Sequence, residues 1–322
     1  MSPRDVVLAL AASGLRNYRP SRCRDDDRAL QLAAFAAPER ETITSLYATL
    51  GDFRDALGVE AVMSAAQRRA FRDRLAAVLG SSRGGAIFTS HAVNELVADA
   101  LHDIRGGAMT ALLLGMTDVP TAARRGHDDS ALLTLVRDQR KIIRSVVKDV
   151  DPVGRERDAL MAPHSLADLA ASLSSFSRLT DVRALVLDIH RDADAVVAES
   201  CLEFAMLERA VFNLLNNAAR HADADPVDVW LDPVAGNARV AVINHVSRAN
   251  AEKLREVLAT NSACLYTSFT TTGSGLGLGI VAEIVGNAYG LSETDELVAE
   301  EYVGTQVVDG SFVAWLHWPL ST

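Results

Sequence analysis

The chain of 322 residues predicts an α+β protein in three parts: an N-terminal helical module, an antiparallel helical hairpin, and a C-terminal two-layer α/β sandwich. Three observations lead there. Over roughly the first 150 positions, apolar residues recur at three- and four-residue steps, the period of amphipathic helices. "DPVGRERDALMAPHS", residues 151–165, interrupts that pattern with linker chemistry. Beyond it, short alternating runs rich in β-branched residues appear among the helical segments. Helices followed by a helix–strand mixture argue for separate layers, and so for separate domains.

Taken in order, residues 1–85 read as a small helical module, with "RETITSLYATLGDFRDAL" and "SAAQRRAFRDRLAAVL" as its helices and "GSSRGG" as a break. Residues 86–155 form the hairpin. In its first helix, from about 87 to 116, Val93, Val97, Ala100, Ile104, Gly107, Ala111 and Leu114 make a heptad seam. Pro120 and Gly126 act as stops. A second helix follows from Ser130 to Val150, with Leu132, Val136, Ile143, Val146 and Val150 facing the first and Gln139 interrupting the stripe. A second copy would bury that stripe further, giving a dimeric four-helix bundle. In residues 165–322, "SLADLAASLSSFSRL", "LEFAMLERAVFNLLNNAARHA" and "GLGLGIVAEIVGNAYG" read as helices. "RALVLDIH", "VDVWLDP", "ARVAVINHV" and "SFVAWLHWPL" read as strands.

Composition narrows the function. A formal net charge of -10 disfavours a phosphate backbone as partner, so no nucleic acid is expected. Cys23, Cys201 and Cys264 are far apart and form no CxxC pair, which argues against a disulfide framework or zinc site. "VVLALAASGL" is too short to span a bilayer and lacks signal-peptide flanks. A cytoplasmic protein with no membrane span is the expectation.

Two stretches carry chemistry. "FNLLNNAARHA", Phe212 to Ala222, sets Asn213 and Asn217 four residues apart on one helix face and ends in Arg220 and His221. Amides are poor helix formers and costly to bury, so they need a reason. "TTGSGLGLGIV" spaces Gly273, Gly275, Gly277 and Gly279 between small or apolar residues, Leu276 and Leu278 among them, just before a helix. Such a run lets backbone N–H groups crowd a phosphate at a helix N-terminus.

Together, in this order and spacing, the pair resembles the N box and second glycine box of the histidine-kinase ATP-binding domain, in the GHKL fold shared with gyrase and the heat-shock chaperone Hsp90. The resemblance covers about Ser165 to Leu320. It implies ATP and Mg²⁺ as cofactors, with Asn217 holding the metal, Asn213 shaping the same wall, Arg220 meeting phosphate oxygens and His221 at the phosphate end. Mg²⁺ wants oxygen ligands, and an amide oxygen supplies one without extra charge. Gly273 to Leu278 would line the phosphates. "ATNSACLYTSFTT" would be the lid over ATP, anchored by Phe269.

Upstream, "LHDIRGGAMTALLLG" resembles the H box of the dimerisation and histidine-phosphotransfer domain. His102 stands between the seam positions Ala100 and Ile104 and so points off the seam toward solvent. The resemblance makes His102 the phosphorylated nucleophile and Asp103 the acid that holds its tautomer by a hydrogen bond. It implies a homodimer and, as partner, the receiver domain of a response regulator. His91, His127, His164, His190 and His317 lack such a setting.

Two departures stand out. The first glycine box, Asp-x-Gly-x-Gly in the family, reads "INHVSRAN": Asn244 replaces the Asp, and Val246 and Arg248 replace the glycines. Asn244 still offers adenine an acceptor, though a weaker one than a carboxylate. Gly106, four residues after His102, has no side chain to position a hydrolytic water, so phosphatase activity by that route should be weak or absent. The leading expectation is a protein-histidine kinase that autophosphorylates on His102. The alternative is an ATP-independent scaffold or phosphotransfer hub that docks response regulators.

Overall fold

A computed structural model describes residues 2–10, 15, 29–59, 63–80, 95–105, 109, 112, 125–179, 187–223, 226–260, 264–267 and 277–321. In chain order these form α1 (Pro3–Ala9), α2 (Ala37–Val59), α3 (Ala65–Gly80), α4 (Glu95–Arg105), α5 (Arg125–Val146), α6 (Pro152–Asp158), β1 (Met161–Ser165), α7 (Leu166–Leu179), β2 (Leu187–His190), β3 (Val196–Ser200), α8 (Cys201–His221), β4 (Val227–Val234), β5 (Asn237–His245), α9 (Arg248–Thr260), α10 (Cys264–Thr267), α11 (Gly277–Tyr289), α12 (Thr294–Ala299), β6 (Val303–Val308) and β7 (Ser311–Pro319). They pack as two units. One holds residues 25–160 and 175–183; the other holds 1–24, 161–174 and 184–322.

These boundaries do not follow the break expected at residue 85. In the helical unit α5 packs on both α2 and α4, and α2 packs on α3. Just before α2, Leu30 zips onto the end of α5: its N–H donates to the Val146 carbonyl at 2.9 Å, and Lys148 N–H donates back to the Leu30 carbonyl at 2.8 Å. The predicted seams are real where they are described. Val97, Ala100 and Ile104 are buried, as are Leu132, Val136, Ile143 and Val146, while Val150 lies beyond the helix end. Gly126 does not stop the chain but sits in the first turn of α5. Gln139 does not weaken the seam either. It is fully buried and donates Nε2 to the Ile104 carbonyl at 2.8 Å, tying α5 to α4. The described part of the stripe, which a second copy was expected to bury further, is thus already buried among α2, α4 and α5 within one chain.

The stretch read as a linker is structured. Asp151 caps α6 by accepting from Gly154 N–H at 2.9 Å. Tyr47 of α2 donates its hydroxyl to Asp151, while Arg144 of α5 reaches both Tyr47 Oη at 2.9 Å and Asp158 at 2.6 Å. Burial pushes the Asp151 carboxyl up. The Tyr47 hydroxyl, the Gly154 N–H and the Arg144 and Arg140 charges outweigh it and hold the group below the usual carboxylate range. Charged residues that look solvated in sequence therefore lock α6 to α2 and α5. Immediately after, Met161–Ser165 is strand β1, antiparallel to β3.

The second unit is built on a five-stranded sheet of order β2-β4-β5-β7-β6, with β2 parallel to β4 and the rest antiparallel. Two hairpins set its register. Ala235–Gly236 and Asp309–Gly310 are two-residue turns with positive φ at both positions, as the strand twist demands. The helices α8 and α11 pack on each other and on β5 and β7. Alternation along β5 sends Ala241 and Ile243 to the opposite face, where they join Trp230, Val313 and Trp315. That face is covered by α1, through Val7 and Leu10. Ser2 and Asp5 close a capping box on α1, with Pro3 in its first turn. The first ten residues therefore belong with the C-terminal sheet, not with an N-terminal module. The strands β1, β3 and β6 and the helices α6, α9 and α12 were not anticipated from sequence.

Beside α1, Asp232, Arg239 and His317 are cross-strand neighbours on β4, β5 and β7, all buried. Arg239 pairs with Asp232 at 3.3 Å and donates to the Leu10 carbonyl at 3.3 Å. His317 Nδ1 lies 2.8 Å from the Glu301 carbonyl, which only accepts, so Nδ1 carries the proton. Burial above all pushes the imidazole down to about 4; the Glu301 hydrogen bond opposes this and the Arg239 charge adds to it. The folded value lies below the unfolded one, so this group's stabilisation is complete above pH ~6.5 and is lost as pH falls toward 4. Urea unfolding should show the wild type losing about 3 kcal/mol more than His317→Gln between those limits.

Candidate functional site

The Asn pair sits where the sheet's helical layer is tightest. Ser200 caps α8 by accepting from Glu203 N–H at 3.3 Å, and the helix then runs unbroken to His221. Asn213 and Asn217, one turn apart, project from one side of it. Asn213 is buried and donates Nδ2 to the Arg209 carbonyl at 3.0 Å. Asn217 and Asn216 are half-buried, as is His221 at the helix end.

The N-terminus of α11 meets this face. A Cβ placed on Gly277 would lie 3.0 Å from Asn217 Nδ2 and 3.2 Å from Asn217 Oδ1. The missing side chain is what leaves the Asn217 amide uncovered beside the first turn of α11. Two residues on, a Cβ at Gly279 would lie 2.7 Å from the Tyr266 carbonyl, so α10 presses backbone to backbone against α11. Leu265 and Tyr266 are buried, and burial pushes the Tyr266 phenol far above its usual range. At its other end α11 finishes at Gly290, φ +70°, with Leu291 N–H returning to the Gly286 carbonyl at 2.8 Å.

Asn244 lies near the end of β5, on the face opposite Ile243 and so toward the helices. It is buried, and its Nδ2 donates to the His245 carbonyl at 3.4 Å. Where the first glycine box was expected, the strand runs straight into α9. Val246 is buried and donates its N–H to the Gly310 carbonyl at 3.0 Å, while Arg248 is exposed and pairs with Glu252 at 2.9 Å. Leu278 is half-buried in α11. The side chain of Arg220, and Phe269, Gly273, Gly275 and Leu276, lie outside the described residues.

His102 and Asp103 belong to the helical unit, on α4. His102 is 21% exposed, less open than its place off the seam implied. Its Nδ1 is buried, without a hydrogen-bond partner, and stands 3.8 Å from Asp103 Oδ1. That exceeds a hydrogen bond. Consecutive helical side chains do not face each other, which is why the two groups approach without bonding. Gly106 and Gly107 lie outside the described residues.

Three histidines set aside in the sequence have definite places. His317 is the buried imidazole described above, and His164 contacts Cys201. His190 stacks on Trp230 and, with Asp188 and Asp228, forms a possible metal-ligand group at the sheet edge. Among the described residues no helix is long and apolar enough to cross a membrane.

Residues 204–321 match the family of histidine kinase-, DNA gyrase B- and HSP90-like ATPases. This part of the chain is a domain of that family. The match takes in α8 from Phe204 onward, the whole of β4, β5, β6 and β7, and the glycine run before α11. No curated protein matches the chain significantly. Among solved structures, the catalytic domain of histidine kinase ThkA is 17% identical, covering 49% of this chain and 98% of its own, with a TM-score of 0.37. Full-length ShkA in complex with AMPPNP is 18% identical over 68% of this chain and 43% of its own, TM-score 0.37. A histidine kinase from Burkholderia phymatum STM815 is 14% identical over 70% of this chain and 96% of its own, TM-score 0.35. The assignment rests on the family match, not on these low overall likenesses.

Within the ATPase domain the two close-packed glycines predict different outcomes. Gly to Ala inside a helix ordinarily stabilises by up to about 1 kcal/mol. Gly279→Ala should instead lower the melting temperature, because its Cβ meets a backbone carbonyl at 2.7 Å that cannot move alone. Gly277→Ala meets only the Asn217 amide, which can turn aside, so its melting temperature should stay within a degree or two of wild type's, on the order of a few tenths of a kcal/mol.

Proposed function

We propose that the chain is a protein-histidine kinase of two-component signalling. Mg-ATP binds between α8 and α11, the γ-phosphoryl passes to His102, and from there to an aspartate of a response regulator's receiver domain. The observation that carries this reading is the contact between Asn217 and Gly277. Motifs sixty residues apart in sequence converge so that an uncovered amide stands beside a helix N-terminus. An amide oxygen suits Mg²⁺, and backbone N–H groups at a helix start suit phosphate, so the residues present fit the cofactor.

In this reading Asn217 holds Mg²⁺, which when bound neutralises phosphate charge. Asn213 supports the same wall, while Arg220 and His221 serve the phosphate end. Gly273, Gly275, Leu276, Gly277 and Leu278 bring backbone to the phosphates, and Phe269 anchors the lid. Asn244 spends its Nδ2 on His245, which leaves Oδ1 to accept from adenine. His102 is the nucleophile. Its uncommitted Nδ1 can donate its N–H to Asp103 Oδ1 after a small rotation, and that would fix the tautomer. Phosphoryl transfer then depends mostly on positioning and charge neutralisation. The active form is a homodimer built on the hairpin, in the cytoplasm.

A second reading has its own observation. The buried Val246 and the direct entry into α9 replace the glycine-bearing turn of the first glycine box. If that closes the adenine end, the protein is an ATP-independent scaffold or phosphotransfer hub.

Incubation with γ-labelled Mg-ATP should give acid-labile label on the wild type and none on His102→Gln; equal labelling of the two would sink the kinase. In calorimetry, Asn217→Ala should weaken Mg-ATP binding by at least about tenfold. Absence of binding by the wild type at millimolar ATP would instead support the hub.

A further inference from the structure

At the end of α8 remote from the Asn pair, three side chains from separate places in the chain meet. Cys201 is the first residue of α8, half-buried, and carries a thiol. His164, on β1, places Nε2 3.1 Å from Cys201 Sγ. Asp168, in the first turn of α7, places Oδ2 3.9 Å from His164 Nδ1. The imidazole is held in this position by stacking on Phe204, with ring centroids 4.4 Å apart and planes within 11°. Asp168 is held by the Ser165 N–H at 2.8 Å. Pairing of β1 with β3 brings the ring beside the start of α8. The nucleotide chemistry does not use the thiol.

From this geometry we infer that Cys201 is an activated thiol and a site of reversible oxidative modification by hydroperoxides. The thiolate is the reactive form of cysteine. Here an imidazole at hydrogen-bond distance can take the thiol proton, the carboxylate behind it favours the resulting imidazolium, and the N-terminus of a long helix favours an anionic sulfur. His164 and Asp168 are 21% and 55% exposed, so small solutes reach the site. The step balances with hydrogen peroxide as oxidant. Sulfur attacks one peroxide oxygen, the S–O bond forms as the O–O bond breaks, and two electrons pass from sulfur to the peroxide. The departing hydroxide takes the proton held on His164, so the products are a sulfenic acid and water. A small thiol then condenses with the sulfenic acid, releasing water and leaving a mixed disulfide that a second thiol reduces. None of this depends on the kinase reading.

The test uses the whole 322-residue chain, with no nucleotide present. Iodoacetamide alkylation followed by peptide mass analysis should find Cys201 reacting at least about tenfold faster in the folded protein than in the urea-unfolded chain. Hydrogen peroxide with dimedone should trap the sulfenic acid on the Cys201 peptide. His164→Phe keeps the stack on Phe204 but removes the base, and should slow both reactions by about tenfold or more without lowering the melting temperature. Asp168→Asn should slow them less. If Cys201 reacts no faster folded than unfolded, or if a stably folded His164→Phe matches wild type, the inference fails. Should His164→Phe not fold, His164→Gln carries the same comparison.

Discussion

The C-terminal unit depends on burying β5 from both sides. Every residue of that strand except His245 is buried. A strand covered on one face only would alternate, so both faces need a layer. The helices α8 and α11 supply one. The other comes from the far end of the chain: α1 lays Val7 and Leu10 over Trp230, Ala241, Ile243, Val313 and Trp315. Fully burying side chains of this size is worth about 1.5–3 kcal/mol each. The polar row of Asp232, Arg239 and His317 follows from the same arrangement. Arg239 reaches the Leu10 carbonyl only because the N-terminal segment lies there, and His317 is neutral because that covering keeps water away.

Positioning of the pocket is the second consequence. Once α8 is fixed on the sheet, α11 is placed by how near its backbone can come. Two glycines set that distance, Gly277 against an amide and Gly279 against a carbonyl. A Cβ at 279 would push α10 and α11 apart, and one at 277 would cover the amide oxygen. The two glycines in the first turn of α11 thus set its packing. The Asn217 amide and a helix N-terminus are held together by a strand pattern that contains neither.

In the helical unit the central element is α5, which is clasped by α2 and α4 and locked at its C-terminal end to α6. This bears on how the hairpin assembles. The described part of its apolar stripe is covered inside one chain, so a homodimer built on the hairpin would join through other faces of those helices. The Gln139 bond to the Ile104 carbonyl comes two residues after His102 and fixes α5 against the turn that follows the histidine. The geometry around the imidazole is thereby set by α5 as well as by α4.

Much was legible before the fold was known. The heptad stripes of α4 and α5 and the runs of β4, β5 and β7 are local periodicities, and a period survives whatever it packs against. The amides at 213 and 217 announced themselves because nothing local favours them in a helix. Other features left weaker local signals. Asp309–Gly310 is a hairpin dipeptide and could have revealed β6. Asp151-Pro152, an N-cap before a proline, could have revealed α6. What no local pattern carries is partnership. The sequence by itself determined most of the elements and marked the amides and glycines that meet at the candidate site. Only the tertiary structure decided that the first ten residues cover the last domain's sheet, that Asn217 touches Gly277, and that His164 meets Cys201. Each of these is a contact between segments distant in sequence, created when chain folding buries apolar faces, and periodicity reports only that a face exists, not what will cover it.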